Sequence, residues 1–581
     1  METQQKTSLH GKSRVALLCM GIGAMALAPG VPALAAPSVP VACNDARAEA
    51  RLRERETAVL GARHAAEHAD ARRRQCRAAK GLEAARTVDP AALSAAAVRP
   101  ANVMGRWGSP IRIPVAGVTA VLLHNGKVLF WSYEPGSWGN PNGSNTGVAY
   151  LWDPATRSGR SITPPENIWC AGQTILGDGR VYIAGGNLRY PDPSAEPGQG
   201  GWQGTLTHYT FNPNNASFTR QYPDMITGRW YPTVTQLGDD RVVITSGYDE
   251  NGGNDVTQQV EIFTPSPDMD GNGSITEISP HNPSGLYPFQ YVLASGDMLQ
   301  AGPGRYNSSL LDVDLLSWSA LPPMQAWHYD YGNGLVYADA SVTPVRQVVL
   351  VAGGVTAGPA VTGDIEMLDG TNPAAGWKAF PRWAQRRHNS NTVILADGTL
   401  LTVGGNSATS SYGDPVFDTE LYTRPPTDAT GSWVKVMPHT VQAAYHSTAI
   451  LLPDATVLLA QDDQDKSPTA AQHVQVYSPP YLFKGSRPRI TFAPPAVTWG
   501  QAVAILTDTP RISGAMLIAP GATTHGNDMH QRAIKLPSRT LGRTVQVTIP
   551  SSSSLVPPGY YMLFVLNATG VPSVAKFIRV M

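Results

Sequence analysis

ILGDGRVYIAGG, residues 175–186, is the stretch from which the fold is read. An apolar run meets an Asp-Gly turn, and a second β-branched run follows and ends in a glycine pair. That wording specifies two antiparallel strands joined by a tight turn. It recurs as LLHNGKVLFWSY at 122–133, QLGDDRVVITSG at 236–247 and YVLASGDMLQAGPG at 291–304. VRQVVLVAGG at 345–354, ILADGTLLTVGG at 394–405 and LLPDATVLLAQD at 451–462 complete the series.

The turn positions Gly126, Gly179, Asp240, Gly296, Gln347, Gly398 and Ala455 are 51 to 61 residues apart. That period suits a four-stranded blade with loops of varying length. Later strands echo one another as well: VEIFTP at 260–265, TELYTRPP at 419–426 and VQVYSPP at 474–480. The expectation is an all-β chain with a seven-bladed kelch-like β-propeller over residues 105–484. The alternative, an assortment of hairpins in a sandwich, accounts less well for the period. From residue 485 the pattern changes to short strands set off by Pro and Gly, such as RITFAPP, GAMLIAP and YYMLFVLN. An immunoglobulin-like β-sandwich over 485–581 fits them.

Ahead of the repeat, residues 36–104 read as a helical hairpin and linker. The run from Cys43 to Arg86 lacks proline and is dominated by Ala, Arg, Glu and Leu, so it is predicted to be helical. A straight helix would hold Cys43 and Cys76 about 50 Å apart at about 1.5 Å per residue. A disulfide needs Cα atoms within about 7 Å. A Cys43–Cys76 bridge therefore requires a fold-back, and Gly61 lies midway. The other reading is a mobile arm whose Arg72-Arg73-Arg74 run is solvated.

Residues 1–35 have the form of a signal peptide. Lys6, Lys12 and Arg14 precede a short apolar run, and Ala33-Leu34-Ala35 fits a cleavage site. Proline and glycine break that run, which argues against a permanent membrane span. The expected location is secreted, periplasmic or extracellular, with no transmembrane segment. The formal net charge is zero and charged residues make up 15% of the chain, a balance that gives nucleic acid no footprint. A monomer is expected.

Removal of Cys19 with the signal leaves three cysteines in an oxidising compartment. An odd number needs an explanation. If Cys43 pairs with Cys76, Cys170 has no cysteine partner. Cys170 lies in WCAGQTILGDGR, just before the first strand of one unit. Tyr231, in GRWYPTVTQLGDDR, holds the same place one unit later. Tyr445 and His446, in AAYHSTAILLPD, hold it again. First strands that converge on an axis would bring these residues together. His525, in TTHGNDMHQR, would arrive on a loop from the C-terminal region. Each residue also has a bland reading: a lone cysteine is usually a small buried hydrophobe, and a tyrosine beside a tryptophan packs at a core edge. Adjacent residues on a regular strand point to opposite faces, so Tyr445 and His446 can act together only if the backbone turns there. As a set, two imidazoles and two phenols make a nitrogen-and-oxygen site suited to tetragonal Cu(II).

WCAGQ, RWY, YHS and THGNDMHQR, in this order, resemble the galactose oxidase and glyoxal oxidase family of copper radical oxidases. The likeness covers about residues 105–581, and the Arg-Trp-Tyr wording is closer to the glyoxal oxidase branch. The resemblance implies Tyr231, His446 and His525 as equatorial ligands of one copper ion and Tyr445 as the axial ligand. It implies a thioether joining Cys170 to the ring of Tyr231, which carries the radical. The implied reaction oxidises a primary alcohol or a hydrated aldehyde with O2 and releases hydrogen peroxide. Tyr445 would be the base and Tyr231 the hydrogen acceptor.

The sequence also departs from galactose oxidase. The tryptophan that stacks on the thioether there lies eighteen residues after the cross-linked tyrosine, and the residue at that spacing here is Asp249. Trp327, in MQAWHYDYGNG, is the candidate replacement. The same segment stands where the sugar-binding arginine would be, and Asn406-Ser407 replaces the glutamine of the galactose pocket, so galactose is disfavoured. AQDDQD at 460–465 replaces a glycine pair and is expected to be a strand edge or metal-facing feature, or an exposed acidic patch. Asp528 is expected to be solvated. His388 and His530 are each either near the site or structural. Two other classes remain: a non-catalytic propeller that binds glycan or protein, and a copper protein without radical chemistry.

Overall fold

The computed structural model describes residues 45–581 apart from 80–85, 135–143, 193, 197, 279, 281–284, 330, 359 and 466–469. The expected signal peptide at 1–35 lies outside the described residues.

Each predicted hairpin except one forms where the turn chemistry places it. In the quoted stretch, Gly172–Ile175 pairs with Val181–Ala184. The Gly179 amide donates to the Leu176 carbonyl at 2.8 Å, and the Leu176 amide donates to Arg180 at 2.8 Å. Gly179 takes φ 91°, the left-handed step that closes such a turn. Asp240 and Ala455 take the same step without being glycine, at φ 74° and 64°. The exception is Gln347. It lies within the strand Arg346–Ala352, and the reversal comes earlier, between that strand and Asn333–Asp339.

Most hairpins gain two further strands to make an antiparallel sheet. One sheet runs Thr233–Gln236, Val242–Thr245, Val260–Thr264 and Ser274–Ile278. The inner strands of these sheets are buried along their whole length. Buried acids pin several sheets at one end. Glu261 holds Arg229 at 2.6 Å, Glu420 holds Arg387 at 2.6 Å, and Glu366 accepts from the Gln325 and Ala326 amides at 2.7 and 2.9 Å. Such buried pairs survive only because every charge is met.

The expected seven-bladed kelch-like propeller, with a separate immunoglobulin-like sandwich behind it, is corrected by the strand pairing. The sheets are discrete antiparallel units, and none closes on itself into a barrel. C-terminal strands are built into two of them. Ala522–Thr524 pairs with Thr119–Leu122, giving a six-stranded sheet, and packs against Gly172–Ile175. Arg532–Leu536 runs parallel to Asn333–Asp339 and joins that sheet to the C-terminal strands, giving nine strands in all. The hairpin repeat specifies each local sheet. It carries no information about edges that are completed by chain hundreds of residues away.

The helical segment is one run, Ala46–Ala79, broken at Gly61 (φ 78°, ψ 156°), followed by the short helices Pro90–Ala97 and Ala101–Met104. Arg72 reaches Glu49 at 2.8 Å and Glu56 at 2.6 Å across the break. The described residues contain no complete disulfide, because Cys43 lies outside them. No helix among the described residues is long and apolar enough to cross a membrane.

Candidate metal centre

The site is built on one repeated backbone device. Cys170, Tyr231, Tyr287, Tyr331, Asn389 and His446 each stand at the start of the first strand of a sheet, and each has left-handed φ, between 47° and 68°. A non-glycine residue in that region costs about 1–2 kcal/mol, and such strain gathers at functional sites. The backbones of these residues are tied together. The Tyr231 amide donates to the Cys170 carbonyl at 3.0 Å, Tyr287 to Tyr231 at 3.1 Å, and Asn389 to Tyr331 at 2.8 Å. The turn at His446 (φ 67°) also resolves the Tyr445-His446 problem. The pair is not on a regular strand, and its rings stack at 3.8 Å.

The structure brings Cys170, Tyr231, Tyr445, His446 and His525 together, all of them buried. The Tyr231 and Tyr445 hydroxyls are 2.5 Å apart, and His525 Nε2 is 2.7 Å from the Tyr231 hydroxyl. Cys170 Sγ is 4.0 Å from the same nitrogen. One ligand atom from each of Cys170, His446 and His525 lies within 4.8 Å of the others, a cluster suited to one metal ion.

Each imidazole is oriented from behind. Thr524 donates its hydroxyl to the Val118 carbonyl at 3.0 Å, so its oxygen accepts from His525 Nδ1 at 2.7 Å. His446 Nδ1 donates to Asp463 at 2.7 Å. Both histidines therefore turn Nε2 into the cluster, the arrangement that suits metal binding. Burial pushes the Tyr231 phenol well above its ordinary value, and Cys170 and Tyr445 beside it add to the effect. A phenol held in this way needs a cation to ionise near neutral pH. The donor set therefore fits copper.

Trp327 stacks on Tyr329 at 5.0 Å and meets Tyr306 edge-on at 5.6 Å. The rings on Tyr231 are those of Trp230, at 3.6 Å and 9°, and Tyr287, at 4.5 Å and 24°. Trp202 continues the column on Trp230 at 4.3 Å. Trp230 was visible in the RWY segment, and its neighbour Tyr231 hid it as ordinary packing. Tyr287 and Tyr331 share the position before a first strand, which was the signal that could have found them.

Other expectations are settled by local contacts. Asp528 is buried rather than solvated. Its Oδ1 accepts from the Ala522, Gln531 and His530 amides at 2.8, 2.9 and 3.1 Å, closing the loop that carries His525. His530 bonds Thr174 at 3.1 Å, His388 bonds the Ala408 carbonyl at 2.7 Å, and His328 bonds the Gly353 carbonyl at 2.7 Å. Asp462 and Asp463 of AQDDQD are buried and Asp465 is exposed, so the acidic pair itself is not a solvated patch.

Residues 487–580 match the family described as Galactose oxidase-like, Early set domain. A galactose oxidase of Gibberella zeae is 29% identical over 528 residues, spanning 82% of this chain and 71% of that protein. An aldehyde oxidase of Vitis pseudoreticulata is 26% identical, over 74% of this chain and 85% of its own. The solved structure of a fungal alcohol oxidase in complex with copper covers 82% of this chain and 100% of that one, with a TM-score of 0.68 and 23% identity, a likeness of fold. Over most of its length the chain is similar to galactose oxidases and to a plant aldehyde oxidase.

Beside the site lies a cavity of about 180 Å³ that His525, Tyr287 and Tyr331 share with Tyr248, Leu286, Phe289, Pro303 and Tyr329. Apart from the imidazole, its described lining carries no ionisable group other than phenols.

Proposed function

We propose that this chain, a copper-dependent oxidase that passes electrons from an alcohol or aldehyde to O2 and releases hydrogen peroxide, works through a thioether between Cys170 and Tyr231. The observation that carries this reading is the meeting of Cys170, Tyr231, Tyr445, His446 and His525 in one buried cluster. Tyr231, Tyr445, His446 and His525 would hold the copper ion. The thioether forms when the Cys170 S–H and a Tyr231 ring C–H give up two hydrogens to O2.

Bound copper supplies an open coordination position that acidifies the substrate hydroxyl, together with a one-electron couple. Tyr445 Oη takes the hydroxyl proton as general base. The oxidised Tyr231 oxygen takes the hydrogen atom of the adjacent carbon. With their hydroxyls 2.5 Å apart, the two acceptors would serve one substrate carbon–oxygen unit. Stacking of Trp230 on Tyr231 spreads and shields the oxidised ring. The substrate's two hydrogens end on O2 as hydrogen peroxide.

The cavity, lined largely by aromatic and apolar side chains, favours small apolar or aryl alcohols and aldehydes over sugars, because against a polyol it offers only phenols, His525 and Asn527 and no charged side chain. The basic start and short apolar run of residues 1–35 support export. Peptide mass analysis before and after aerobic copper loading tests the cofactor. A Cys170 peptide joined to a Tyr231 peptide, lighter by two hydrogens, is expected. Separate unmodified peptides after verified copper binding would leave a plain copper site.

A further inference from the structure

AQDDQD, residues 460–465, places an acidic pair after the second strand, where three of the other units carry Gly-Gly. The glycines are needed elsewhere because the next sheet's backbone comes close: a Cβ at Gly185 would lie 2.2 Å from the Arg229 carbonyl, and one at Gly404 2.5 Å from the Ala443 carbonyl. The last sheet uses the same place differently. Asp462 accepts from the Ala444 amide at 2.8 Å and from Gln442 Nε2 at 2.9 Å, fixing the backbone that leads into Tyr445-His446.

Asp463 goes further. It is wholly buried, and three donors converge on it: His446 Nδ1 at 2.7 Å and the Tyr133 hydroxyl at 2.7 Å on Oδ2, and the Tyr412 hydroxyl at 2.6 Å on Oδ1. The donors come from three distant parts of the chain. Their rings also brace the imidazole. Tyr133 meets Trp169 edge-on at 5.2 Å, and Trp169 meets His446 edge-on at 5.8 Å. Tyr412 meets Tyr445 edge-on at 5.8 Å, and Tyr445 stacks on His446 at 3.8 Å.

We propose that Asp463 is a positioning residue for the metal site, fixing His446 with its proton on Nδ1 and its Nε2 toward the metal, and linking that histidine to Tyr445 through Tyr412. The inference rests on the reading of His446 as a ligand. A carboxylate that only accepts leaves His446 one choice of tautomer. An amide in its place can donate to Nδ1 instead, which moves the imidazole proton to Nε2 and blocks the metal-facing lone pair. Loss of such a partner typically weakens metal binding about 10–100-fold.

The test measures Cu(II) dissociation constants of the full chain by chelator competition, beside the melting temperature of the metal-free protein. Asp463→Asn is expected to weaken copper binding about 10–100-fold. Asp462→Ala, which loses the bonds from the Ala444 amide and Gln442 Nε2, is expected to lower the melting temperature with a smaller change in copper affinity. Copper affinity in Asp463→Asn equal to wild type overturns the proposal. If Asp463→Asn does not fold, Tyr412→Phe decides. A shifted copper spectrum supports the link through Tyr412, and an unchanged spectrum and affinity overturn it. A wild-type chain that binds no copper instead overturns the assignment of the site itself.

Discussion

The Tyr231 amide donates to the Cys170 carbonyl at 3.0 Å, so the two residues proposed to share a thioether are already joined through their backbones. Their side chains are held beside each other before any oxidation takes place. Cys170→Ser should therefore abolish the cross-link with little cost to folding. Activity, read as peroxide release, should fall by about a hundredfold or more, as for groups that act as a unit. Peptide mass analysis of the copper-loaded variant checks the missing link.

Tyr445→Phe removes the hydroxyl, 2.5 Å from that of Tyr231, that is proposed as the proton acceptor. The turnover number should drop about 10²–10⁴-fold. The thioether should still form, which separates a chemical role from a structural one.

Trp230→Leu breaks the column Trp202–Trp230–Tyr231. Loss of the stack is worth about 1 kcal/mol to the oxidised ring, beyond a packing cost of a few kcal/mol. The oxidised enzyme should decay faster, as followed by electron paramagnetic resonance and absorbance. Trp327→Leu should leave that decay rate unchanged, since Trp327 packs on Tyr329.

Burial raises the Asp528 carboxyl from 3.8 to about 6. An acid that holds its proton more tightly in the folded chain adds stability only while protonated, so its contribution is lost as pH rises through the folded value. Asp528→Asn keeps the oxygen that accepts from the Ala522 amide and removes the titration. Relative to wild type, its melting temperature should rise between about pH 4 and pH 7, by up to about 3 kcal/mol in stability.

The cavity lined by Leu286, Phe289, Pro303 and Tyr329 should turn over benzyl alcohol or a small aldehyde at least about tenfold more efficiently than galactose. Specificity constants from a coupled peroxide assay check this, and a preference for galactose would refute it.

What the sequence disclosed depended on how local the cause was. Turns at Gly126, Gly179 and Ala455 follow from a few adjacent residues, and the structure has them there. The turn placed at Gln347 failed because ASVTPV carries no Asp-Gly signal, so the reversal slid out of register with the other units. The pairing of Ala522–Thr524 with Thr119–Leu122 has no local trace, and it undid the expected closed architecture. Four site segments were legible because their residues are chemically unusual in combination. Asp463 and Asp528 were not, because acidic residues look solvated until their donors are known. Tyr133 reaches Asp463 from 330 residues away. The stacking ring was misplaced because the left-handed turn at Tyr231 lays its ring on the residue just before it.

The six left-handed residues that open the first strands carry Cys, Tyr, Tyr, Tyr, Asn and His on one kind of backbone. The strand that follows each is paired with its neighbour through backbone groups. Evolution can therefore exchange the occupant of any one seat while leaving the sheets intact. Substrate preference can drift at Tyr287 and Tyr331, which line the cavity, while Cys170, Tyr231 and His446 stay fixed.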